Sequence, residues 1–143
     1  SAHHDCALHP FPMKHLASLL LLASLFLSCQ SPQYYGSVIE LIPEKEQQYR
    51  DLHTAVWPEV VAAIRQANIR DYRIYRAELQ GKIYLFSTFT YVGRDFAADM
   101  ASIAADETTR ERWWPLTDAC QRRIPGTAAG EQWMGLEQLM HLP

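Results

Sequence analysis

Glycine is scarce, six residues in 143, and none falls in a Gly-rich phosphate loop, so nucleotide-cradling chemistry is excluded. No serine sits in a nucleophile motif either. Charge of one sign is missing too. Thirteen Lys and Arg stand against sixteen Asp and Glu, a net charge of −3 with both signs interspersed. That leaves no basic footprint for nucleic acid. Of three cysteines, Cys6 and Cys29 lie in the first stretch and only Cys120 beyond it, which excludes a disulfide scaffold for the main domain. Four of the six histidines (His3, His4, His9, His15) precede Cys29, leaving His53 and His141. With Asp118 or Cys120 these make no metal-ligand spacing, so no metal site is expected.

Only one long apolar run exists, Leu16 to Leu27, following Met13-Lys14-His15 and ending in Ser28-Cys29. It falls short of the roughly 20 residues that span a bilayer and reads instead as a secretory signal. Leu27-Ser28-Cys29 resembles a lipoprotein processing site, with Phe26 where Leu is usual. Residues 1–29 are therefore read as a leader, an over-extension over Ser1–Pro12 and then a signal peptide. On that reading the protein is exported and tethered to a bacterial membrane through lipid on Cys29, facing the periplasm or the cell surface. It stays cytoplasmic if the leader is not used. Residues 30–143 suffice for one domain with a real core.

Within that domain, Tyr34 to Ile42 mixes aromatic and β-branched residues and predicts a strand. Pro43-Glu44 opens a helix, with proline in the first turn and an acid beside it. Pro58 interrupts it, since proline removes a donor and crowds the preceding turn. The helix kinks there or restarts with Pro58 first, running to Asn68. Asp71–Leu79, the turn Gln80-Gly81 and Lys82–Tyr91 predict a hairpin. Gly93-Arg94-Asp95 precedes a helix through Phe96, Met100 and Ile103, and Asp106 caps another through Trp113. Gly126–Gly130 reads as a loop and Glu131–Leu142 as a last strand, with Gly135 at a bulge. The order βαββαβ is ferredoxin-like: an α+β fold, an antiparallel sheet with helices on one face. Its other face needs covering, and a second copy stacked sheet to sheet would do it.

Tyr49, His53 and Trp57 recur at spacing four, so on a helix they share a face. An ordinary imidazole titrates near 6.5, which lets His53 exchange protons near neutrality. A helix histidine bonded to its neighbour is the plainer reading. Tyr72 is either a sheet aromatic or a pocket wall. Trp113 and Trp114 point about 100° apart on a helix, so one packs inward while the other reaches a cavity edge. Trp57 reads as packing beside the Pro58 break. Asp95, Asp99 and Asp106 read as helix-start charges, and Arg65, Arg70, Arg73 and Arg76 as solvated faces.

Taken together, Tyr49-Arg-Asp-Leu-His53, Val56-Trp57-Pro58-Glu59-Val60, Ile69-Arg-Asp-Tyr72-Arg-Ile-Tyr75 and Trp113-Trp114-Pro-Leu-Thr117-Asp118 resemble the L-rhamnose mutarotases. The resemblance spans nearly everything after the leader. It implies a ferredoxin-like dimer of the α/β barrel type, working on a monosaccharide without metal or cofactor. It places the proton-donating histidine on His53 and the sugar contacts on Tyr49, Tyr72, Trp113 and Trp114. Asp95–Asp106 departs from shorter members, and the leader from cytoplasmic ones. Two other classes stay open: a small monooxygenase or isomerase of another kind, and a non-catalytic sugar-binding lipoprotein.

Overall fold

The structure, a computed structural model, describes residues 31–142. The leader and its Cys29 lie outside the described residues. Strand β1 (Gln33–Leu41) runs into a single 3-10 turn at Pro43–Lys45 and then helix α1 (Glu46–Thr54). The helix is interrupted over Ala55–Trp57, and α2 (Pro58–Gln66) restarts with Pro58 in its first turn, where the missing N–H costs no helical bond. Strands β2 (Ile69–Leu79) and β3 (Lys82–Tyr91) form the hairpin. Its two central turn residues, Gln80 and Gly81, have φ of 52° and 75°, the left-handed pair that matches strand twist.

Helix α3 (Phe96–Ala105) starts where the Asp95 carboxylate accepts from the Ala98 N–H at 3.0 Å. Asp106 caps the next helical stretch by accepting from the Thr109 N–H at 2.8 Å. That stretch contains a π-helical turn, Thr109–Trp113, before α4 (Trp114–Asp118). Two short strands close the chain, β4 (Gln121–Arg122) and β5 (Met134–Leu136).

The sheet is antiparallel in the order β2-β3-β1-β4, with β5 also paired to β1, so the ferredoxin-like arrangement holds. Alternation puts Ile39, Leu41, Ile83 and Leu85 on the helix side, packed with Tyr49 of α1 and Cys120. Ala67, Ile69 and Ile103 make a second cluster under α2 and α3.

Three expectations are corrected. The last strand is three residues rather than the whole of Glu131–Leu142, and Leu139 beyond it is 87% exposed. Gly135 makes no bulge: it sits opposite Ser37 in unbroken register. The bulge lies instead in β2, where the pairing shifts between Arg70 and Arg73 and Asp71 takes φ 54°. Arg76 is not merely solvated, because it donates to Glu46 of α1 at 2.8 Å and ties strand to helix.

Candidate functional site

The β2 bulge decides where Tyr72 points. Ile69 faces the helices, and strict alternation would then send Tyr72 to the opposite side. One extra residue resets the alternation, so Tyr72 and Ile74 both line a cleft on the helix side. No motif in the sequence signals this. Tyr72 keeps one flank open to solvent, while burial of its hydroxyl raises its pKa, with the Ser87 hydroxyl acting the other way.

Helix α1 supplies the facing wall. Tyr49 is 5% exposed and stacks on His53 with ring centroids 4.1 Å apart. The His53 Nδ1 lies 2.8 Å from the Tyr49 carbonyl oxygen, which can only accept. Nδ1 therefore carries the hydrogen, and Nε2 is the nitrogen left to exchange a proton. Burial lowers the pKa of His53 from 6.5, with the bond to Tyr49 acting the other way, so the ring is neutral at pH 7. Tyr49 itself is pushed up by burial and by the nearby Tyr72, with the Gln121 side chain acting the other way.

Trp113 is buried and meets His53 edge-on at 5.5 Å, while Trp114 is 36% exposed at the same cleft. The two indoles thus divide as helical geometry requires. Trp57 is not a lining residue. It packs edge-on against Trp113 at 5.3 Å, with the Arg112 guanidinium 4.9 Å from its ring centre, and supports the wall from behind.

All five residues singled out from the sequence, Tyr49, His53, Tyr72, Trp113 and Trp114, come together in one cleft of about 930 Å³. His141 packs at a tilt against Tyr34 elsewhere. Other lining residues were not foreseen. Thr109 and Gln121 are buried in the wall, and Thr109 Oγ1 and Gln121 Oε1 find no hydrogen-bond partner among the described residues. Asp118 closes α4, and burial raises its pKa. Val56, Val60, Ile64 and Ile103 add apolar side chains to the lining, with Arg123, Glu131 and Trp133 beyond them. Among the described residues no group of three or more His, Cys, Asp or Glu is placed to hold a metal ion.

A family model described as L-rhamnose mutarotase matches residues 34–142. The chain belongs to the L-rhamnose mutarotase family. As a mutarotase of this family it is an isomerase acting on carbohydrates, of the class that interconverts sugar anomers. It is 36% identical over 95 residues to an L-fucose mutarotase of Xanthomonas campestris pv. campestris, covering 65% of this chain and 70% of that one. An L-rhamnose mutarotase of Burkholderia ambifaria is 34% identical over 104 residues, 73% of this chain and 92% of the relative. The crystal structure of an L-rhamnose mutarotase from Formosa agariphila shares the fold. Its TM-score is 0.52 at 17% identity, covering 78% of this chain and 99% of its own.

These relatives also correct the expected location. They are named as sugar mutarotases, none of them as a lipoprotein, and the exported, lipid-anchored placement is withdrawn. Its only basis was composition, an apolar run followed by Ser28-Cys29, and many apolar runs meet that criterion.

Proposed function

We propose that this mutarotase interconverts the α and β anomers of L-rhamnose or a related 6-deoxy aldose, with His53 as the proton-transfer group. The observation that carries this is the fixed imidazole: Nδ1 bound to the Tyr49 carbonyl and Nε2 without a partner among the described residues, in an aromatic cleft. Relatives named for L-rhamnose and L-fucose support the substrate class, since both sugars are 6-deoxy aldoses. The apolar side chains of Val56, Val60, Ile64 and Ile103 suit the methyl group that such sugars carry.

In this mechanism the neutral Nε2 takes the proton of the anomeric hydroxyl. The imidazolium so formed protonates the ring oxygen as the bond from it to the first carbon breaks. Rotation about the first carbon–carbon bond turns the other face of the aldehyde toward the freed hydroxyl. Reclosure runs the same transfers in reverse, and the imidazole ends as it began. Tyr49 and Tyr72 hold sugar hydroxyls, and the indoles of Trp113 and Trp114 lie against the ring. No cofactor enters the cycle.

Such general acid–base catalysis is worth about 10²–10⁴-fold. Anomer exchange of several aldoses, followed by NMR, tests the reading. The wild-type chain accelerates exchange of a 6-deoxy aldose, and His53→Ala loses about 10²–10⁴-fold. Full activity in His53→Ala sinks the assignment.

The outer sheet face carries Tyr34, Tyr75, Leu79 and Leu136, each between 41% and 53% exposed. A second copy of the chain stacked on it would bury them, and sedimentation velocity of the purified protein reads the result as a dimer.

A further inference from the structure

Helix α1 carries Tyr49 and His53, yet few points hold it. A 3-10 turn precedes it and the interruption over Ala55–Trp57 follows, so neither end continues directly into another long element. Tyr49 is its one buried side chain. Between α1 and β2 lies a hollow of about 260 Å³, whose lining includes Glu46, Arg76, Tyr49, His53 and Ile74. The last three also line the cleft, so the wall that carries His53 has a cavity on either side.

One link joins the two elements there. Arg76 of β2 donates from Nε to Glu46 Oε1 at 2.8 Å and from Nη2 to Oε2 at 3.2 Å, a two-bond fork. Among the described residues no other hydrogen bond joins α1 to β2. Arg50, one turn along the same helix, also donates to Glu46 at 2.6 Å, and Arg76 faces Glu78 of its own strand at 3.6 Å. Glu46 and His53 are seven residues apart, two helical turns or about 10 Å. Arg76 and Tyr72 are four apart on β2, about 13 Å. Since His53 and Tyr72 line the same cleft, α1 and β2 run side by side. The ion pair stands at one end, and the gap between imidazole and phenol at the other.

We infer that Arg76 and Glu46 are a positioning pair that sets the gap between His53 and Tyr72. The inference rests on the mutarotase reading above. Held by Tyr49 alone, α1 could rock about that ring and swing His53 away from the sugar. A second fixed point on the far side of Tyr49 stops the rocking. An ion pair this open to solvent adds little to stability. Its effect on catalysis is larger, because a displacement of about 1 Å can cost about 10²-fold. Neither residue needs to reach the sugar, since both act through the imidazole.

The test measures kcat, KM and Tm for anomer exchange in single and double variants. Arg76→Ala and Glu46→Ala are each expected to lower kcat by roughly three- to thirtyfold, as for a displacement short of about 1 Å. KM and Tm change little, because Tyr72 and the two indoles stay in place. The double variant is no worse than either single one. Arg76→Lys, which keeps the charge but not the fork, recovers part of the loss. Arg50→Ala leaves the link to β2 intact and keeps the wild-type kcat. The two single variants remove charges of opposite sign, so opposite changes in kcat would mean a purely electrostatic action on His53 and overturn the inference. Additive losses, or a fall in Tm with kcat unchanged, overturn it too. If the wild-type chain accelerates no aldose, the mutarotase reading falls. The pair is then read on the NMR signals of the His53 ring, which the rings of Tyr49 at 4.1 Å and Trp113 at 5.5 Å displace. Displacement in the same direction in both single variants keeps the positioning role, and unmoved signals remove it.

Discussion

Tyr91 and Tyr72 sit on neighbouring strands, and their surroundings differ in one respect that separates scaffold from site. The hydroxyl of Tyr91 donates to the Asp99 carboxylate at 2.6 Å, and the Asn68 amide donates to the same oxygen at 2.9 Å. Gly93 packs so closely against both that any Cβ would collide with the Tyr91 hydroxyl and the carboxylate. Every group in that array has a partner, and the array fastens α3 to the sheet. Around Tyr72 and Tyr49, by contrast, groups are left with capacity to spare: Nε2 of His53, Oγ1 of Thr109, Oε1 of Gln121. A buried polar group without a partner works against folding, so a wall that collects several of them is adapted to something outside the fold.

The comparison breaks if substitutions in the two arrays have the same kind of effect. Most severe is His53→Ala, which is expected to remove catalysis while leaving the thermal transition near that of the wild type. Next is Asp99→Ala. It strands the Tyr91 hydroxyl and the Asn68 amide together, so Tm falls by several degrees in a calorimetric scan while KM stays unchanged. A KM that rose with the loss of stability would show that the lock and the cleft are one unit. Thr109→Val is a milder change. It removes a hydroxyl that has no partner among the described residues, so Tm stays the same or rises slightly.

The sequence showed most of the fold because its signals are local. Pro43 and Pro58 punctuate the helices, Gln80-Gly81 supplies a two-residue turn, and Asp95 and Asp106 cap the helices that follow. It also showed the five aromatic and imidazole residues of the cleft, chiefly through their resemblance to a family. What stayed hidden depends on partners distant in the chain. Asp99 looked like a helix-start charge, and only the approach of β3 makes it the acceptor for Tyr91. Ser37 and Ser87 are fifty residues apart, and nothing local marks them as a pair. The bulge at Asp71, which turns Tyr72 inward, leaves no pattern that alternation can detect.

The smallest effect expected concerns pH, and it isolates His53 from the carboxylates. Burial holds the folded pKa of His53 below its ordinary value of 6.5, so between the two values the unfolded chain binds a proton that the folded chain does not. Stability is therefore unaffected above that range and declines as pH falls from about 6.5 toward the folded value. Glu46 and Asp106 act lower and by a different route. Arg76 and Arg50 hold Glu46 below its usual range, and the Thr109 N–H that Asp106 accepts does the same for Asp106. The stability these two contribute is present above their unfolded values of 4.5 and 3.8 and is lost as pH falls through their folded ones. Tm followed from pH 7.5 downward should thus show a shallow decline beginning near 6.5 and a steeper one below about 4.5. His53→Gln should flatten the first and leave the second. If both persist in that variant, the burial of His53 is not what the upper decline reports, and the neutral, proton-accepting imidazole on which the cleft's chemistry depends loses its support.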